Sequence, residues 1–177
     1  MTNVSSSEAP TKAAAVANEF LKLGDAENIA IDPMKLQKLV YYAHAWYLAH
    51  NDNPLFDDDV EAWPWGPVIR SIYDHFQGFG RDPIKGKKAT ILRKTGNEEV
   101  NFSFEAPELD NQDLKDFIKL VWDSHKDFTG IQLSNATHMP NEPWTIVKDQ
   151  YGDLDKKPPI DNEIIKFVFK SKLVTAQ

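Results

Sequence analysis

Among the residue types that can do chemistry, the tightest grouping is Ser134, Thr137 and His138, two hydroxyls and an imidazole within five positions. An imidazole beside a hydroxyl can take its proton and turn it into a nucleophile. No third group that would orient the ring lies close by, so catalysis is not expected, and Thr137 and His138 read with Trp144 as a buried polar latch in which hydrogen bonds satisfy His138. His44 and His50 are six positions apart on one predicted helix, point to different faces and cannot bind one metal from a single turn. Asp57-Asp58-Asp59 lacks the alternating acidic spacing and turn glycine of a calcium loop and reads as a solvated loop. Cysteine is absent, which removes thiolate nucleophiles, disulfides and Cys-type zinc sites together. The sequence also holds no Gly-x-Ser-x-Gly elbow, phosphate loop, dinucleotide fingerprint or His-Glu-x-x-His pair. The expectation is a protein without catalytic residues, metal or cofactor.

The elements that would position these groups are mostly helical. Ala13 to Leu23 repeats small and apolar residues at helical spacing and is expected to stop at Gly24. Asp32-Pro33 supplies an N-cap followed by a proline at the first helical position, where its missing N–H costs nothing. The helix it opens carries Leu36, Leu39, Val40, Ala43, Trp46 and Tyr47 on one face, and Tyr42, Ala45 and Ala49 widen the stripe. That breadth predicts a central helix packed on several sides, ending near Asn51-Asp52-Asn53-Pro54. Val60 to Trp65 predicts a short edge strand or extended segment, because Pro64 removes a ladder donor. Gly66-Pro67 is expected to turn the chain into a third helix running to Gly78. Ala89 to Arg93 and Val100 to Phe104, with Gly96-Asn97 between them, predict a small β-hairpin. Helical period returns with Leu114, Phe117, Ile118, Val121, Trp122 and His125, followed by short helices at Ile131 to Thr137 and Pro143-Trp144 and a last helix from the Asp161 cap. The fold class is mainly α (α+β): a compact helical domain with a central aromatic-rich helix and a small hairpin, residues 11–177, behind a tail at 1–10.

At 177 residues the chain is long enough for one domain with a proper core, and its 41% hydrophobic content is that of a globular protein. Met1 to Lys12 is polar and Ser-rich, and no apolar run approaches membrane length, so a cytoplasmic protein without a membrane partner is expected. A net charge of −7 disfavours general attraction to nucleic acid. One stretch runs the other way: Arg81, Lys85, Lys87, Lys88, Arg93 and Lys94 face a single acid, Asp82. Such a basic hairpin beside an acidic body suits either a solvated tip or contact with phosphates or an acidic protein surface.

Three blocks read together carry a family resemblance. They are Leu36-Gln37-Lys38-Leu39-Val40-Tyr41-Tyr42-Ala43-His44-Ala45-Trp46-Tyr47-Leu48; Pro54-Leu55-Phe56 leading into Glu61-Ala62-Trp63-Pro64-Trp65-Gly66-Pro67-Val68; and Leu133-Ser134 with Thr137-His138 and Pro143-Trp144. In order and spacing they resemble the Panacea domain, the family of SocA-like antitoxins and phage-associated proteins, over about Ala17 to Ile146. The family motif would fall on Leu36, Lys38, Leu39, Tyr42, Trp46, Glu61, Trp63, Gly66, Pro67, Tyr73, Thr137, His138 and Trp144. The resemblance implies a protein that binds and neutralises a cognate toxin encoded beside it, by sequestration or as an adaptor to a ClpXP-type AAA+ protease. A scaffold serving many toxins must vary its contact surface while keeping its core, so the motif is expected to mark the fold. Partner contacts are expected at Phe79, Arg81, Lys85, Lys87, Lys88, Arg93 and Lys94. Two other readings stay open: a nucleic-acid-binding regulator using the basic hairpin, and a small hydrolase using His138.

Overall fold

The computed structural model describes residues 9–96 and 101–175. Most of the expected tail, the Asn97 corner of the hairpin with Val100, and the last two residues lie outside that set. Among the described residues the chain forms seven α-helices and two antiparallel two-stranded sheets.

Helix α1 spans Ala13–Glu27 and α2 spans Pro33–Asn51. The Asp32 carboxylate accepts from the Lys35 N–H at 2.8 Å, capping α2 as its sequence predicts. The Gly24 expectation is corrected, because α1 runs through that residue and ends at Asn28 in the left-handed region (φ 54°). Glycine is needed at position 24 for close approach instead: a Cβ there would lie 2.8 Å from Ile31 Cδ1 and 2.9 Å from the Ile29 carbonyl. Helix α2 is central, touching α1, α4 and four further elements, with Leu36, Leu39, Val40, Ala43 and Ala45 fully buried.

The second block departs most from expectation. Val60–Trp63 (β1) and Gly66–Ile69 (β2) form a hairpin, so Gly66-Pro67 opens a strand and not a helix. Pro64 and Trp65 make the corner, and the reversal is completed at Gly66 with φ +113°. Nor is β1 an edge: the Ala62 N–H donates to the Pro158 carbonyl and the Ile160 N–H to the Val60 carbonyl, both at 2.7 Å. Residues 60 and 62 thus turn their backbone groups away from β2, and their partners Ile69 and Pro67 turn theirs away from β1. Pro67 sits where a backbone N–H would point out of the ladder, which is why proline is tolerated there. Helix α3 is the short Arg70–Phe76, followed by a 3₁₀ turn at Gln77–Phe79.

Ile91–Thr95 (β3) and Asn101–Glu105 (β4) pair as the one hairpin the sequence predicts, its strands one or two residues further along than expected, standing away from the helices as an arm. Helices α4 (Gln112–His125), α5 (Gly130–Thr137), α6 (Pro143–Tyr151) and α7 (Asn162–Thr175) complete the chain. Thr129 and Gln132 close a capping box on α5. On α7, Phe169 is fully buried against Tyr41, Tyr42 and Trp46 of α2. No helix among the described residues is long and apolar enough to cross a membrane.

Candidate functional site

The three blocks of the sequence converge around the β1–β2 hairpin. The outward backbone of β2 is met by side chains of α2. The Gln37 carboxamide accepts from the Ile69 N–H and donates to the Ile69 carbonyl, each at 3.0 Å, doing the work of a third strand. Lys38 Nζ donates to the Pro67 carbonyl at 3.0 Å. At the corner the Ser134 hydroxyl donates to the Trp65 carbonyl at 2.8 Å, and the Trp144 indole donates to the Trp63 carbonyl at 2.7 Å. Backbone groups of one hairpin are therefore satisfied from α2, α5 and α6, as buried polar groups must be.

Space is as tight as the bonding. A Cβ on Gly66 would lie 2.9 Å from Lys38 Nζ and 3.0 Å from Thr137 Oγ1. The Thr137 hydroxyl donates to the Ser134 carbonyl at 2.6 Å. Both candidate nucleophilic hydroxyls are thus committed to carbonyls, and neither donates to His138. The His138 ring instead stacks on Trp144, centroids 3.9 Å apart, with Lys148 on the same indole. Burial, then the charges of Lys38 and Lys148, hold the His138 pKa below the ordinary imidazole value against a bond to the Trp65 carbonyl. Its Nε2 is buried and without a partner among the described residues.

Lys38 is the outlier of the cluster. It is 2% exposed, and burial pushes its pKa down to about 7. Leu36 and Leu39 are in the core, Tyr42 is buried, and Trp46 is half-buried beside Phe169. Glu61 accepts from the Trp63 indole at 2.6 Å and pairs with Arg70 at 2.9 Å. Trp63 is boxed in further by Tyr73 and by the cations of Arg70 and Lys157. Its neighbour Trp65, at the corner of the hairpin, is 72% exposed over a hollow shared with Met34, Tyr73 and Phe76.

The candidate partner residues divide. Arg81, Lys85, Lys87 and Lys88 do not belong to the hairpin; they are exposed on the loop that crosses α1 before it. Only Arg93 and Lys94 lie in β3, and Arg93 pairs with Glu105 at 3.0 Å. Phe79 is corrected as an exposed aromatic: it is half-buried and packs on the core. His44 is fully buried, bonded through Nε2 to Asn162 at 2.9 Å and stacked on Phe56, whereas His50 is exposed. Asp58 accepts from the Ser71 hydroxyl. Among the described residues no three potential metal-ligating side chains come together.

Sequence reasoning missed the polar anchors. Asn18 of α1 donates to the carbonyls of Ala89 (2.9 Å) and Pro107 (3.1 Å) and accepts from the Ala89 N–H (2.8 Å), tying down both limbs of the arm. His75 Nε2 accepts from the Thr90 N–H at 3.0 Å, which leaves Nδ1 to donate to the Ser71 carbonyl. The only local signal was a polar residue, Asn18, within an apolar stripe.

The pattern of a family described as "Antitoxin SocA-like, Panacea domain" matches residues 36–145, a span that opens on α2 and closes on α6 around the hairpin just described. The chain is also similar to "Antitoxin SocA" of Caulobacter vibrioides (strain NA1000 / CB15N), 29% identical over 164 residues, covering 92% of this chain and 85% of that protein. No solved structure matches the chain.

Proposed function

The chain belongs to the SocA-like antitoxin family with a Panacea domain, and on that premise we propose that it binds and neutralises a cognate toxin protein encoded beside it. The observation that carries this reading is the match over 36–145 together with the likeness to Antitoxin SocA over most of the chain. The physical reading supports it: the residues expected to carry the motif are mostly taken up in the core and around the β1–β2 hairpin, so recognition is assigned to surfaces outside them. We place the contacts on the basic loop, Arg81, Lys85, Lys87 and Lys88, and on the arm with Arg93 and Lys94. Neutralisation proceeds by sequestration or by delivery of the toxin to a ClpXP-type AAA+ protease.

Expression of the neighbouring small open reading frame tests this. It should arrest growth alone and allow growth when this chain is co-expressed; absence of arrest, or arrest that persists, rejects the antitoxin reading. Toxin levels that fall only while the protease is present indicate delivery, and unchanged levels in a stable complex indicate sequestration. One observation favours a second reading. Arg81, Lys85, Lys87 and Lys88 have no ion pair among the described residues, as phosphate-binding cations would not. Binding to DNA or RNA that weakens steeply with salt would support it.

A further inference from the structure

The β3–β4 register pairs Leu92 with Phe104 and Lys94 with Phe102. Directly opposite residues of an antiparallel pair share a face, and positions two apart along a strand share it too. Leu92, Phe102 and Phe104 therefore form one continuous apolar face with a single cation, Lys94. They are 58%, 56% and 77% exposed. At about 200 Å² for a large side chain, that leaves roughly 350 Å² of apolar surface in one patch, within the range of the largest patch on a soluble monomer, which is often functional.

Internal needs of the arm do not explain this face. The opposite face carries Ile91, which packs on the core, with Arg93, Thr95, Asn101, Ser103 and Glu105, which are tied by the Arg93–Glu105 pair and the Thr95 hydroxyl donating to the Asn101 carbonyl. A two-stranded ribbon in water is marginal, and three large apolar groups turned to solvent do nothing to hold it. Its foot, however, is fixed by Asn18 and His75, so the arm is held in a set direction before anything binds. Pre-fixing a gripping element lowers the ordering cost of association.

Resting on the antitoxin reading above, we propose that the arm is the gripping element, burying Leu92, Phe102 and Phe104 in an apolar patch on a toxin protein whose rim is acidic. Charge argues for the rim: Lys94 lies on the apolar face, Arg81, Lys85, Lys87 and Lys88 stand exposed on the loop that leads into the foot, and none has an ion-paired acid among the described residues. The same charges argue against a second copy of this chain as occupant. A two-fold contact through the arm would set the patch against itself, Lys94 facing Lys94 and basic foot near basic foot.

The test uses the full chain and the purified product of the adjacent open reading frame, with affinity read by calorimetry. Phe104→Ser should weaken binding by at least about tenfold and the triple L92S/F102S/F104S by at least about a hundredfold, as loss of central apolar anchors does. Ser103→Ala, on the opposite face, should change it by less than about twofold. Amides of 91–95 and 101–105 should gain hydrogen-exchange protection in the wild-type complex, a readout that needs no variant. Full affinity in the triple variant, no protection of the arm, or a dimer of the chain alone that the triple variant dissolves overturns this inference and leaves the antitoxin reading standing. A wild-type chain that does not bind the product overturns both.

Discussion

Replacing Lys38 by Met isolates the energetics of the buried lysine under the family motif. Lys38 is 2% exposed, its bond to the Pro67 carbonyl is 3.0 Å, and its pKa falls from 10.5 to about 7. At about 1.4 kcal/mol per pKa unit, keeping this ammonium inside the fold costs about 5 kcal/mol when both folded and unfolded states are protonated. The sign follows from proton binding: between pH 7 and 10.5 the unfolded chain holds more protons at this site, so stability rises with pH across that window. The penalty is about 4 kcal/mol at pH 7 and about 2 kcal/mol at pH 9. Lys38→Met removes it and forfeits one hydrogen bond, worth about 1.5–3 kcal/mol while the amine is charged and about 1 kcal/mol once it is neutral. The variant should exceed wild type by about 1–3 kcal/mol at pH 7 and by about 1 kcal/mol at pH 9. Urea unfolding followed by tryptophan fluorescence at both pH values gives the comparison. Wild type and variant with the same pH slope would refute the claim that this lysine is stored in the fold at a cost.

The other expectations concern the hairpin and the arm. Gly66→Ala combines a φ of +113° with a Cβ 2.9 Å from Lys38 Nζ, and should lose about 3 kcal/mol in thermal unfolding; an unchanged midpoint would show that the corner relaxes freely. Gln37→Leu leaves the buried Ile69 N–H and carbonyl without partners and should cost about 2–4 kcal/mol by denaturant titration, whereas Gln37→Met at the same cost would identify unpaired backbone rather than shape as the cause. Asn18→Ala releases the Ala89 backbone and the Pro107 carbonyl. It should speed exchange of the Ala89 amide by at least about tenfold while leaving α2 amides protected, as local opening requires.

Much of the fold was legible because its signals are local. Asp32-Pro33 starts α2, the periodic Leu114 to His125 face makes α4, Asp161 precedes the last helix, and the broad apolar stripe of α2 identifies the central element; each works through residues within about one turn or one face of a helix. The three motif blocks were legible too, as a pattern. Tertiary structure decided what the blocks do. Gly66-Pro67 begins a strand because Gln37 and Lys38, 32 and 29 positions from the groups they meet, replace the missing neighbour strand. Ser134 reaches the corner across 69 positions, Trp144 across 81, and Asn18 the arm across 71. Gly24 fails to end α1 because Ile31 returns against it, and Phe79 is drawn onto the core while Leu92, Phe102 and Phe104 are left in solvent. An apolar residue in a strand announces one face of a ribbon; whether that face meets a core or faces water depends on what the rest of the chain brings to it.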